Sequence, residues 1–193
     1  YAQTSQHWAT NAWVYYAYPR VMFDPGLDQE RFRKDYFAKG YGRGGKAMRA
    51  FFETVEDRFR VTPCLLEWET VEGLLSAPVL DRMERHLSAA EAATASADPR
   101  TRQRVAVVRE GFDYAQAYLR SRELIERARR GERSVRGPAL MAYEEVAGLR
   151  QRLAERGLLG ANEHNAAAEI AMLGVDLAAL GPGPFSYSDY YKD

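Results

Sequence analysis

Two apolar stripes separated by a two-residue break constrain this chain more than any other feature. Leu80, Met83, Leu87, Ala90, Thr94 and Ala97 step by three and four, and after Asp98-Pro99 the same step resumes at Val105, Val108, Phe112, Ala115 and Leu119. Spacing of that kind places one side of a helix indoors. An aspartate followed by proline supplies an N-cap and a first-turn residue whose missing N–H is not needed there. The pattern therefore predicts two antiparallel helices joined by almost no loop. The second, running to Arg129 or Arg130, is the longest rod in the chain, ~45 Å at ~1.5 Å per residue. Small residues toward the end of the first stripe let a neighbouring helix approach closely.

The rest of the chain carries the same period with different punctuation. From Ser5 to about Tyr18, Trp8, Ala12, Tyr15 and Tyr16 recur at helical steps behind Thr4 or Ser5 as a cap, and Pro19 is expected to bend or end that helix. Phe23-Asp24-Pro25-Gly26 is a turn by composition. Asp28 is an N-cap for a short helix with Phe32, Tyr36 and Phe37 inward, and Gly40 is expected to terminate it. A third helix starts near Gly45 with Met48, Phe52, Val55 and Phe59 buried, and stops at Thr62-Pro63. Leu65–Leu75 reads as a short helix, and Ser76 with Pro78 restarts the chain. Gly131–Gly137 is a polar hinge, Pro138 opens a helix with Ala142, Val146, Leu149 and Leu153 inward, and Gly157 ends it. A last short helix is expected over Asn162–Leu173, with an irregular segment over residues 181–193. No segment alternates as a strand would. The expected fold is all-α: an irregular helical bundle with a long antiparallel helix hairpin and an aromatic-rich N-terminal helical subcluster. It is read as one domain over 1–193, with the subcluster at 1–62 and the hairpin plus third helix at 76–157.

Composition narrows the functional classes. A content of 46% hydrophobic and 28% charged residues suits a folded chain, not a disordered one. Zero formal net charge provides no chain-wide field to draw in nucleic acid or an anionic membrane, and neither is expected as a partner. The charge is uneven, with a basic excess from Asp98 to Arg136 and an acidic excess from Pro138 to Asp193. A single cysteine, Cys64, excludes an internal disulfide framework and leaves the compartment open. The opening YAQTSQHWATNAW and the closing FSYSDYYKD both read as cut from something longer.

Few residues fall into patterns that carry chemistry. Gly40-Tyr41-Gly42-Arg43-Gly44-Gly45 contains the spacing G-x-G-x-x-G, but a helix precedes it where a dinucleotide fingerprint needs a strand. A helix-to-helix hinge is the favoured reading, with Arg43 and Lys46 as candidate anion-binding residues beside the free amides of the following helix. His7, His86 and His164 lack metal-ligand spacing, and no metal or other cofactor is expected. Glu67, Glu69 and Glu72, like Glu144 and Glu145, read as solvated faces, and Cys64 has no local activating partner. The run Arg127–Arg136 could contact phosphates, although a solvated helix end suits its interspersed Glu132 better. Trp8 and Trp13, five residues apart, cannot share one helical stripe. His7 and Trp8 are the candidate carbohydrate-facing pair, weighed against aromatic core packing.

One stretch also carries a resemblance. Tyr16, Arg20, Val21, Met22, Phe23-Asp24-Pro25, Leu27-Asp28, Asp35-Tyr36, Gly40-Tyr41-Gly42, Met48 and Phe51-Phe52 form the first block. Leu80 to Ala92, Pro99, Arg102, Arg104-Val105 and Tyr114-Ala115 form the second. Together they resemble the C-terminal helical part of domain-of-unknown-function family 4838, over about Gln6 to Leu119. Phe23 stands where that family often has Trp, and Gly44-Gly45 where Ala-Ala is common. The resemblance implies a secreted or periplasmic, glycoside-hydrolase-like bacterial parent. In it an upstream (β/α)-barrel would hold the catalytic carboxylates, the helical region would be an accessory packed on that barrel, and a carbohydrate would be the ligand. No catalytic residue carries over to this chain. The rival expectation is a freestanding interaction module that docks through the helix from Asp98 to Arg130, and a weaker one makes the chain itself a hydrolase.

Overall fold

The structure, a computed structural model, describes residues 8–24, 26–61 and 74–158, with backbone alone at residues 8–11 and at Phe59. Every regular element among them is helical: α1 (Trp8–Phe23), α2 (Gln29–Tyr41), a 3₁₀ turn (Gly42–Gly44), α3 (Gly45–Val61), α4 (Ala77–Thr94), α5 (Pro99–Arg129), a second 3₁₀ turn (Arg133–Val135) and α6 (Arg136–Glu155). The described residues thus form an all-α irregular bundle, with α4 and α5 as the hairpin and α1 to α3 as the aromatic subcluster. The helix expected over Leu65–Leu75, all but its last two residues, lies outside the described residues, as do the Asn162–Leu173 helix and the irregular tail.

Caps explain where most helices begin. The Asp28 carboxylate accepts the Arg31 N–H at 3.0 Å and opens α2. Asp98 accepts from the amides of Arg100 and Thr101 at 3.0 and 3.1 Å and from the Thr101 hydroxyl at 2.6 Å, which opens α5 one residue before Pro99. Ser76 holds the N-cap position of α4 with its hydroxyl unused; its carbonyl accepts from Val79 and Leu80 instead.

The helix expected to bend or end at Pro19 does not end there and runs through it to Phe23, with Pro19 on an exposed face and the Asp24 N–H reaching the Arg20 carbonyl at 3.1 Å. Two other boundaries differ from expectation. Gly40 lies inside α2, and Gly42 terminates that helix. Gly42 takes a positive φ of 52° and its N–H returns to the Ala38 carbonyl, so Tyr41 is carried into the core as a helical residue. α6 begins at Arg136, two residues before Pro138, which places Glu144 and Glu145 beyond its first turns.

By its contacts the chain divides into two compact units, residues 1–112 and 113–193, with the division inside α5. The first holds a continuous core of Trp13, Phe37, Tyr41, Met48, Phe51, Phe52, Val79, Met83, Leu87, Ala90, Val105, Val108 and Phe112. Phe51 meets Phe112 edge-on at 5.6 Å, tying α3 to α5. Arg109 on α5 lies across α4, bonded to both oxygens of Glu84 and of Glu91, which fixes the antiparallel register of the hairpin. The core outweighs such pairs: truncating a fully buried Leu87 to Ala is worth ~2–5 kcal/mol, a part-exposed ion pair up to ~1 kcal/mol. The ion pairs select an alignment that the core stabilises.

In the second unit Ala117, Ser121, Arg122, Ile125 and Ala128 of α5 are buried, together with Val135, Ala139, Ala142 and Leu153. The expected seam residues Ala115 and Leu119 are half-buried, as are Val146 and Leu149. A helix of 3.6 residues per turn rotates away from a strict three-and-four stripe over several turns, so the buried face drifts around it. α6 closes with the Gly157 and Leu158 amides on the Ala154 and Leu153 carbonyls, both at 2.9 Å, and Gly157 at φ 66°.

Candidate functional site

The glycine run is a packing device. A Cβ on Gly44 would stand 2.7 Å from the Thr94 methyl and 3.2 Å from the Ala90 carbonyl oxygen, and one on Gly45 would stand 2.6 Å from the Phe37 carbonyl oxygen. The bare backbone lets the 3₁₀ turn settle on the small-residue end of α4. Of the amides an anion would need, that of Gly42 is bonded to Ala38 and that of Gly45 to the Gly42 carbonyl. Arg43 and Lys46 are exposed beside this turn.

The other sequence-derived candidates are dispersed. His7 lies outside the described residues, and Trp8 opens α1 without a described side chain. Trp13 is a core residue, packed on Phe32, Tyr36 and Phe37 with centroid distances of 4.8 to 5.9 Å. Its indole N–H donates to Glu56 at 2.9 Å, Arg33 donates to the second Glu56 oxygen at 2.6 Å, and the Arg33 guanidinium sits 5.4 Å from the Trp13 ring centre. That triad joins α1, α2 and α3. Arg49 bridges Glu30 and Glu53, holding α2 to α3.

Arginines occupy the carboxylates elsewhere too. Arg127 grips Glu132 with two bonds of 2.9 and 2.6 Å, and Arg129 bonds Glu126 at 2.7 Å, so the Arg127–Arg136 run is partly neutralised within its own turn. Among the described residues no group of His, Cys, Asp and Glu gathers as a metal site would, and no helix is long and apolar enough to cross a membrane.

Two clefts flank α1 within the first unit. The smaller, about 270 Å³, is lined by Val14, Ala17, Tyr18 and Val21 of α1 against Phe32 and Arg33 of α2. The larger, about 490 Å³, lies on the other side of α1 between Tyr16 and Arg20, the Phe32–Tyr41 face of α2, and Arg104 of α5. Its wall is aromatic: Tyr16 lies parallel to Phe32 with centroids 5.6 Å apart and tilts against Tyr36 at 4.9 Å. Its polar groups are ordered. The Tyr36 and Tyr41 phenols influence each other, and Arg104 donates to the Gly40 carbonyl at 3.0 Å. Burial pushes the Tyr41 phenol far above the ordinary range and raises Tyr36 as well, while the charge of Arg104 pulls both back slightly. Asp35, the carboxylate of this cleft, accepts from Lys39 at 3.2 Å.

Spacing along the chain did not disclose this cleft. Tyr16 and Arg20 stand four apart on α1, as Tyr36 and Gly40 do on α2, so each helix presents its pair on one face. Arg104 joins them across 64 residues from Gly40, a convergence that no local pattern encodes.

No family model, no curated protein and no solved structure matches this chain.

Proposed function

We propose that this chain is a C-terminal helical accessory region of a glycoside-hydrolase-like, carbohydrate-active protein, supporting an upstream catalytic barrel without performing the chemistry itself. The observation that carries this reading is the outer face of α1. Val14, Tyr18, Val21 and Met22 are exposed large apolar side chains on that side of the helix, Met22 at 62% and Val14 at 53%. A helix apolar on every side is ordinarily covered on every side. Among the described residues, Trp13 and Ala17 pack on the core of the first unit and Tyr16 on Phe32 and Tyr36, which leaves the Val14–Tyr18–Val21 side and its groove to a larger neighbour. A barrel domain of the same parent is the neighbour that the family resemblance supplies.

The state of the carboxylates supports a non-catalytic role. Glycoside hydrolysis uses two carboxylates facing each other across a cleft. Glu56, Glu84 and Glu91 have both oxygens held by other side chains, and Asp35 in the larger cleft is paired with Lys39.

The test uses the parent protein, with Val21→Lys and Met22→Lys introduced together. The expected result is a lower melting temperature and weaker polysaccharide binding or turnover in the parent, with an unchanged melting temperature in the 193-residue chain alone. A parent whose gene encodes no barrel upstream, or whose activity on plant and bacterial polysaccharides is absent while a non-sugar substrate is turned over, would overturn the reading. The first of those outcomes would favour a freestanding interaction module that docks through the helix from Asp98 to Arg130.

A further inference from the structure

The larger cleft has an imbalance of hydrogen-bonding groups. The phenols of Tyr36 and Tyr41 line it, and a phenol can donate as well as accept. Arg104 uses one guanidinium nitrogen on the Gly40 carbonyl, and the rest of its fork has no acceptor among the described residues. Arg20, on the opposite wall, has no carboxylate partner among the described residues. Lys39 and Asp35 neutralise each other at the rim. Donors thus exceed acceptors, and the charge left at the cleft is the two guanidiniums, with Asp98 near enough to Arg104 to feel its charge.

The second feature is shape. Tyr16 rests one ring face on Phe32 at an interplanar angle of 2°, yet it is 45% exposed, which leaves its ring available to a flat ligand. A volume of about 490 Å³ admits a group of one or two rings. A solvated arginine by itself needs no ligand. Here two arginines, a phenol and an aromatic plate from three helices line one concavity, and Arg104 is fixed in direction by its bond to the Gly40 carbonyl.

The geometry points to a binding site for a carboxylate carried on a flat ring, the uronate residue of an acidic oligosaccharide or an aromatic acid, with Arg104, Arg20 and the Tyr36 hydroxyl taking the carboxylate and Tyr16 stacking on the ring. Guanidinium forks match carboxylates in two-bond geometry, and the apolar face of a sugar or an aromatic ring suits the Tyr16 plate. This inference is independent of the docking reading, because Tyr16 and Arg20 lie on the side of α1 away from Val14, Tyr18 and Val21.

Trp13 packs on Tyr36 and Phe32, so its fluorescence reports on the wall of the cleft. The 193-residue chain is titrated with a galacturonate trimer, with the neutral galactose trimer and with benzoate, and isothermal calorimetry repeats each titration. The expected result is saturable binding of the galacturonate trimer, of benzoate or of both, weakened by added salt and reduced about tenfold or more in Arg20→Gln and in Arg104→Lys. Saturation by the trimer alone assigns an acidic sugar, and saturation by benzoate alone assigns an aromatic acid. Three results overturn the proposal: no saturation by either acid, equal affinity for the neutral trimer, or wild-type affinity in both arginine variants. Circular dichroism checks folding, and Arg20→Gln, at an exposed position, keeps the test decisive if Arg104→Lys unfolds.

Discussion

Three glycines within a run of six residues respond in opposite directions to the same added methyl group. At Gly45 the new Cβ would meet a backbone oxygen of α2 at 2.6 Å, and at Gly44 a side-chain methyl at 2.7 Å. At Gly40 it would meet nothing within 4 Å, inside a helix. Gly45→Ala is therefore expected to destabilise by ~1–3 kcal/mol, as overpacking does. Gly40→Ala is expected to stabilise by ~0.5–1 kcal/mol, because Ala gives up less backbone freedom on folding. Urea denaturation of the two variants checks both signs, and a destabilised Gly40→Ala would show that α2 is crowded on that face. The caps at Asp28 and Asp98 were legible in the sequence because a cap is completed within three residues. The work of Gly44 and Gly45 was not, because the atoms that demand a missing Cβ sit on Ala90, Thr94 and Phe37.

Elements follow the same division between local and distant causes. α1 carries a proline in its interior and still runs four residues beyond it. Pro19 removes the N–H that would reach the Tyr15 carbonyl, an interior penalty of ~3 kcal/mol, offset by up to ~1 kcal/mol through the stiffer unfolded chain. Pro19→Ala is expected to stabilise the protein by ~2 kcal/mol and to raise its melting temperature. An unchanged transition would mean that α1 bends to absorb the proline without loss. At the start of the next helix, Asp28→Ala removes the acceptor for the Arg31 amide and is expected to lower stability by ~1 kcal/mol in the same assay. Sequence spacing placed both helices. It offered two stops for α1, Pro19 and the turn at Phe23 where the helix ends, and misplaced the end of α2, because three nearby glycines are each compatible with a stop.

For the whole molecule, the charged groups predict how stability depends on pH. His86 is held below its ordinary value of 6.5, first by burial and then by Arg82 and Arg85. A depressed group contributes stability that is fully present above the unfolded pKa and is lost as pH falls through the folded one. The chain should thus begin to lose stability below about pH 6.5. Asp98 is lowered by the Thr101 hydroxyl bond, Glu30 by Arg49 and Glu132 by Arg127, from ordinary values of 3.8, 4.5 and 4.5. Their contributions persist above those values and fade below them. Urea midpoints measured from pH 8 to pH 3 should show two declines, with His86→Gln flattening the first and Asp98→Asn the second. A first decline of the same slope in His86→Gln would remove His86 as its source.

By itself the sequence determined that this protein is helical, that Asp98-Pro99 turns one long helix back on another, and that the N-terminal helices share an aromatic core. Each depends on periodicity and capping, forces that act within a few residues. Only the tertiary structure decided that Gly42, not Gly40, ends α2, that the glycine run serves close packing, and that Tyr16, Arg20, Tyr36 and Arg104 meet around one cleft. Those outcomes depend on backbones and side chains brought together from distant positions, Arg104 with the carbonyl of Gly40 above all. Spacing along a chain records which face of a helix a residue occupies, and only packing decides what that face meets.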